Sequence, residues 1–127
     1  MTSGKCTVVL ADDTPEIRTL LRLTLEDQGE IEVVGEAGDG AEAVKIVTEL
    51  QPNALVLDLA MPVMDGFEAI PAVRRAAPET KIIVLSGFDR GHMSERALKL
   101  GADMYFEKGI SFFDLAAKVM DTCPGRD

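Results

Sequence analysis

The sequence predicts a doubly wound α/β domain in which helices cover both faces of a five-stranded parallel sheet. Two observations carry this. Short β-rich runs alternate five times with longer segments of helical period, and the first and third runs are apolar on both of their alternating faces, as strands buried from both sides must be. A length of 127 residues, 46% apolar and 28% charged, agrees with one domain over the whole chain, with a core from about 6 to 122 and a short tail at 123–127.

The first strand is read at Cys6–Ala11, followed by a helix whose apolar stripe is Ile17, Leu20, Leu21 and Leu25. A second strand from Ile31 to Gly35 carries glutamates and is placed near an edge; Ala43, Val47 and Leu50 form the stripe of the next helix. Asn53–Leu57 is the third strand and ends at Asp58. Ile70, Val73 and Ala77 mark a third helix closed by Pro78, with Pro71 blurring its start. Lys81–Leu85 is the fourth strand, then a helix with Met93, Ala97 and Leu100 on one face and Gly101 as its C-terminal cap. Met104–Phe106 is a short fifth strand, and Phe112, Leu115, Ala116 and Val119 recur at helical spacing in the last helix.

Composition excludes several function classes. With 13 basic against 22 acidic side chains the net charge is −9, which disfavours nucleic-acid and anionic-lipid surfaces, and no basic patch or helix-turn-helix segment is left over. No apolar run approaches a membrane span. Cys6 and Cys123 lie at opposite ends of the chain, form no metal-knuckle spacing, and are read as reduced intracellular thiols, which together with the missing span points to the cytoplasm.

Right-handed crossovers bring the C-terminal ends of all strands to one edge, where the ligand crevice of such sheets forms. Reading off those ends gives Asp12 and Asp13 after the first strand, Asp58 after the third, Ser86 after the fourth and Lys108 after the fifth. Carboxylates crowded together repel, and a cluster of hard oxygen donors suits Mg²⁺, whose charge in turn lets an acidic pocket hold a phosphoryl group that Lys108 meets directly. Aspartate is a competent nucleophile toward phosphorus, and Asp58, ending a buried central strand, is the best placed.

Other features have plainer readings. Asp12 and Asp13 ahead of Thr14-Pro15 have the composition of a helix cap, a reading that yields to the metal one once Asp58 and Lys108 are placed beside them. Asp65-Gly66 is turn and helix-start chemistry, His92 a surface histidine, and Met61, Met64, Met93, Met104 and Met120 core or interface filler. Phe112 and Phe113 cannot both face the core from one helix, so one is available to a partner.

Taken jointly, Ala11-Asp12-Asp13, Leu57-Asp58-Leu-Ala-Met-Pro62 with Met64-Asp65-Gly66, Leu85-Ser86-Gly87 and Tyr105-Phe-Glu-Lys108 resemble the receiver domain of two-component response regulators, of the chemotaxis-receiver type, from about Thr7 to Val119. The resemblance implies a flavodoxin-like sheet with strand order 2-1-3-4-5 and five helices. It implies Asp58 as phosphoacceptor, and Asp12, Asp13, Asp58 and the backbone carbonyl of Ala60 as Mg²⁺ ligands. Lys108 and Ser86 would contact the phosphoryl oxygens, Gly87 would keep the pocket open, and Tyr105 would be an aromatic switch turning inward. The implied phosphodonor is a histidine kinase or histidine phosphotransfer protein. The output would pass to a partner protein, to a C-terminal output domain absent from this chain, or through a phosphorylation-dependent homodimer, by a face around Arg90 to Leu100, Met104 to Phe106 and the last helix.

Gly109 follows Lys108 where many receivers have proline, and Ala60 and Phe88 occupy the two positions that tune water's access in the family, which predicts slow self-dephosphorylation. A turnover phosphatase of the haloacid-dehalogenase type would need a second aspartate where Ala60 stands, and an FMN carrier would cradle phosphate with small hydroxylated residues rather than Asp12-Asp13. The chain is therefore read as a phosphoacceptor and not a turnover enzyme, the alternative being a pseudo-receiver that binds partners without phosphorylation.

Overall fold

The computed structural model describes residues 5–87 and 91–123, without the side chain of His92. The expectations for Phe88, Arg90 and His92 fall outside that description. Ten elements alternate: β1 (Cys6–Ala11), α1 (Pro15–Glu26), β2 (Ile31–Ala37), α2 (Gly40–Leu50), β3 (Ala54–Leu57), α3 (Gly66–Ala76), β4 (Lys81–Ser86), α4 (Gly91–Leu100), β5 (Met104–Glu107) and α5 (Phe112–Asp121). The five strands are parallel in the order β2-β1-β3-β4-β5, so β2 does lie at an edge.

Strand alternation sorts the core into two layers. Val9, Ala11, Leu55, Leu57, Ile82 and Val84 point to one face, where they meet Ala43, Val47, Ile70, Val73 and Ala97 of α2, α3 and α4. Val8, Leu10, Ala54, Val56, Ile83 and Leu85 point to the other, against Leu21 and Leu25 of α1 and Leu115 and Val119 of α5. Every one of these strand residues is buried because the sheet has no solvated face.

Local chemistry fixes the helix ends. Asp65 accepts from the Glu68 amide while the Glu68 side chain accepts from the Asp65 amide, a reciprocal cap that starts α3 despite Pro71, which falls inside the helix. Gly101, at φ +125°, ends α4 in a conformation that favours glycine.

Three expectations are corrected. Leu20 is 51% exposed, because Ile17, Leu21 and Leu25 follow one another at four-residue steps and a neighbour turned by about 100° cannot share their face. Leu50, at the last position of α2, is 47% exposed where the helix runs off the sheet. The cysteines are not separate reduced thiols: Cys6 and Cys123 are joined in a disulfide, their Cα atoms 5.4 Å apart across 117 residues of sequence. Each helix runs back antiparallel to its strand, so the end of α5 lies at the edge where β1 begins, and Cys123 belongs to the buried body rather than to a tail.

Candidate functional site

Backbone pairing carries the ladder one residue past the strands and thereby positions the site. The Asp58 amide donates to the Ala11 carbonyl at 2.9 Å, the Asp12 amide to Ala37 at 3.0 Å, and the Lys108 amide to Ser86 at 2.8 Å. Asp12, Asp58, Ser86 and Lys108 therefore come to one edge, as the strand ends predicted.

Asp12 and Asp58 are each 3% exposed and Asp13 is exposed; one carboxylate oxygen from each of the three lies within 4.8 Å of the others. Lys108 reaches across from the end of β5, its Nζ 3.1 Å from Asp58 Oδ2 and 3.3 Å from Asp12 Oδ2. Glycine after Lys108 does not prevent this reach. Asp58 Oδ1 accepts from the Ala60 amide at 3.1 Å, and Asp12 Oδ1 from the Thr14 amide at 2.8 Å, so both buried carboxylates have fixed orientations. Thr14, in the N-cap position of α1, makes no side-chain cap.

Charge in this pocket is finely opposed. Burial pushes the Asp58 carboxyl above the usual carboxylate range; the Ala60 amide and the Lys108 ammonium pull it down without cancelling the push, to which Asp12 adds. Burial draws Lys108 down, but the charges and hydrogen bonds of Asp58 and Asp12 together outweigh it, and the ammonium is held above its ordinary value.

The donor set fits a small hard cation. An ion with bonds of about 2.1 Å places neighbouring ligand oxygens about 3 Å apart and opposite ones about 4.2 Å apart, so three oxygens within 4.8 Å of one another need close in by at most about 1.8 Å.

Ser86 is fully buried at the end of β4, paired with Glu107 of β5. Tyr105 is 3% exposed and packs with the α2–α4 side of the core, so its ring is inward in this structure. Of the two phenylalanines opening α5, Phe112 packs against the core and Phe113 is 74% exposed.

Sequence reasoning missed a support beneath the site. Arg18 of α1 donates through Nη1 to the Asp12 carbonyl at 2.5 Å and through Nε to Glu36 Oε1 of β2 at 3.1 Å, and Arg22 holds the other oxygen of Glu36. The loop bearing Asp12 and Asp13 is thus clamped between α1 and β2. A second clamp lies further off: Phe67 of α3 sits under the Arg96 guanidinium of α4, 4.0 Å from its ring centre.

Comparison with known proteins agrees with this arrangement. The model of the response regulator receiver domain family matches residues 8–120. The transcriptional regulatory protein YhcZ of Bacillus subtilis is 42% identical over 99 residues, covering 77% of this chain and 46% of that protein. The response regulator protein VraR of Staphylococcus aureus is 36% identical over 118 residues, covering 93% of this chain and 56% of that one. The chain spans about half the length of these relatives. Among solved structures, the receiver domain of NarL from Mycobacterium tuberculosis superimposes with a TM-score of 0.90 at 33% identity, covering 97% of this chain and 99% of that one. The response regulator domain of CheB from Thermotoga maritima gives 0.81 at 31% identity over 92% of each.

Proposed function

The chain belongs to the response regulator receiver domain family, and on that premise we propose that it accepts a phosphoryl group on Asp58, with Mg²⁺, from the phosphohistidine of a histidine kinase or phosphotransfer protein. The observation that carries this reading is Lys108, whose ammonium lies within 3.3 Å of both buried carboxylates, Asp12 and Asp58, beside the third at Asp13.

An oxygen of the Asp58 carboxylate attacks phosphorus, the P–N bond of the donor breaks, and its electron pair returns to the imidazole. An acyl phosphate remains on Asp58. Asp12, Asp13, Asp58 and the Ala60 carbonyl would hold the Mg²⁺, which when bound offsets the charge of carboxylates and phosphoryl oxygens. Lys108 then exchanges its contact with Asp58 for the phosphoryl oxygens, and Ser86 Oγ donates to one of them. That transfer of hydrogen bonds draws the end of β4 toward the site and biases Tyr105, which abuts α4, so that the face of α4, β5 and α5 reports the phosphorylated state. Ala60 carries no polar group to orient water, so the acyl phosphate is long-lived and the domain is a switch rather than a turnover phosphatase.

The domain works in the cytoplasm, a reading supported by the acidic chain and by the absence, among the described residues, of any helix long and apolar enough to cross a membrane. The names of its relatives, a transcriptional regulatory protein and, at 26% identity, a DNA-binding response regulator of the LuxR family from Staphylococcus aureus, support a DNA-binding output downstream. The net charge of −9 assigns that contact to another domain or a partner, not to this surface.

Intact mass after incubation with a small acyl-phosphate donor tests the reading. One phosphoryl adduct that needs Mg²⁺ and is lost in Asp58→Asn supports it. No adduct under any condition refutes it and leaves a module that acts without phosphorylation.

A further inference from the structure

We propose that Cys6 and Cys123 are a redox modification site, a staple closed by a peroxide-class oxidant and reopened by a dithiol, that locks the end of α5 to the start of β1. The chain has two cysteines, and the fold brings both to one spot from 117 residues apart. The bonded pair has a Cα separation of 5.4 Å, within the range a disulfide requires, so the closed form fits this fold.

Surroundings and compartment together argue for reversibility. This step rests on the cytoplasmic reading above: cytosolic disulfides are held open by glutathione and thioredoxin systems, and those that form there are transient and redox-responsive rather than permanent. Cys6 is 3% and Cys123 8% exposed, which shields the closed bond from casual exchange. Cys123, however, stands two residues beyond α5, and its amide donates only to Met120 within that last turn. Fraying of one turn therefore exposes its sulfur while the strand holding Cys6 stays paired.

The chemistry balances. The Cys123 thiolate attacks hydrogen peroxide and the O–O bond breaks, giving a sulfenic acid and hydroxide; the Cys6 thiolate then attacks that sulfur and displaces a second hydroxide, and the two protons released by the thiols turn both hydroxides into water. Reopening transfers the disulfide to the attacking dithiol, which ends oxidised. Cys6 and Asp12 bracket β1, about 20 Å apart along an extended strand, so the staple acts on α5 and leaves the acidic pocket untouched.

The test uses the whole chain. Reduced protein is treated with hydrogen peroxide under native conditions, quenched with N-ethylmaleimide, and weighed intact. The expected product is monomeric, lighter by two hydrogens and free of maleimide. A thioredoxin-class dithiol should restore two alkylatable thiols while the domain stays folded, and the closed form should melt roughly 8–15 °C above the open one. Cys6→Ser and Cys123→Ser should each abolish that difference in melting. Two maleimide adducts after peroxide, a dimer linked between chains, or a bond that opens only in denaturant would each overturn the proposal. Phosphoryl uptake by Asp58, measured on both forms, is expected to be equal; if neither form takes up phosphate while the mass shift occurs, the phosphoryl reading falls and the staple stands.

Discussion

Replacing Gly66 with alanine separates tertiary constraint from helix propensity, because the two predict opposite signs. Gly66 is the first residue of α3, and alanine inside a helix is favoured over glycine by about 0.5–1 kcal/mol. A Cβ built there, however, comes to 2.7 Å from the Asp58 carbonyl oxygen, 2.7 Å from Leu59 Cα and 2.8 Å from Leu59 Cδ2. Two of the three atoms are backbone, and the Gly66 amide is itself bonded to the Leu59 carbonyl at 2.9 Å, so neither side can swing away. Bringing 2.7 Å to an ordinary 3.4 Å contact needs a shift of 3.4 − 2.7 = 0.7 Å.

Overpacking of this kind costs about 1–3 kcal/mol. At about 2.1 cal/mol/K per residue the unfolding entropy of this chain is about 270 cal/mol/K, so Tm falls by roughly 4–11 °C. The shift lands on the phosphoacceptor's own backbone, and misplacement on that scale should slow phosphoryl uptake about tenfold or more. Urea unfolding and the rate of adduct formation read the two effects. Gly109→Ala, whose Cβ would meet nothing within 4 Å, is the control, expected within about 0.5 kcal/mol of the parent. A Gly66→Ala protein as stable as the parent, or more so, would refute the reasoning.

Three further outcomes follow from the same geometry. Because the folded state raises the Asp58 pKa, its contribution is favourable below the ordinary value of 3.8 and is lost as pH rises through the folded value; in metal-free buffer Asp58→Asn should unfold at higher urea than the parent near neutral pH, with the gap closing toward 3.8, and a gap that stays constant with pH counts against burial as the cause. Arg18→Ala should weaken Mg²⁺ binding about tenfold by calorimetry, since it releases the Asp12 carbonyl from the Glu36 clamp, and undiminished affinity would show that the clamp is merely structural. Val63 is 83% exposed at φ +67°, a conformation that disfavours β-branched side chains, so Val63→Asn should gain about 1 kcal/mol, and a loss in denaturant midpoint contradicts that.

What could be read in advance depended on how locally each feature is encoded. Asp12, Asp58 and Ser86 were legible because each directly follows an apolar run, and Lys108 because it follows the short strand Met104–Glu107; in a parallel sheet the end of a strand is a place in space. Leu20 was misread because a stripe wide enough to include it also spans the rim of the helix, and only the packing of α1 decides where the rim falls. Arg18 left no pattern to read: its role is a distance to the Asp12 carbonyl, and basic residues on an amphipathic helix are ordinary.

The cysteine pair lies between these cases. Their separation of 117 residues carries no local signal, and their places at opposite ends of the chain, without metal-knuckle spacing, argued for free thiols. Topology nevertheless contained the answer. A parallel strand that ends at the site begins at the far edge, and a helix returning antiparallel to the sheet finishes there too. With β1 central, the first residue of β1 and the residues just past α5 are brought to the same edge, on the same face as α1. Cysteines at those two places are therefore candidates for pairing in any sheet of strand order 2-1-3-4-5.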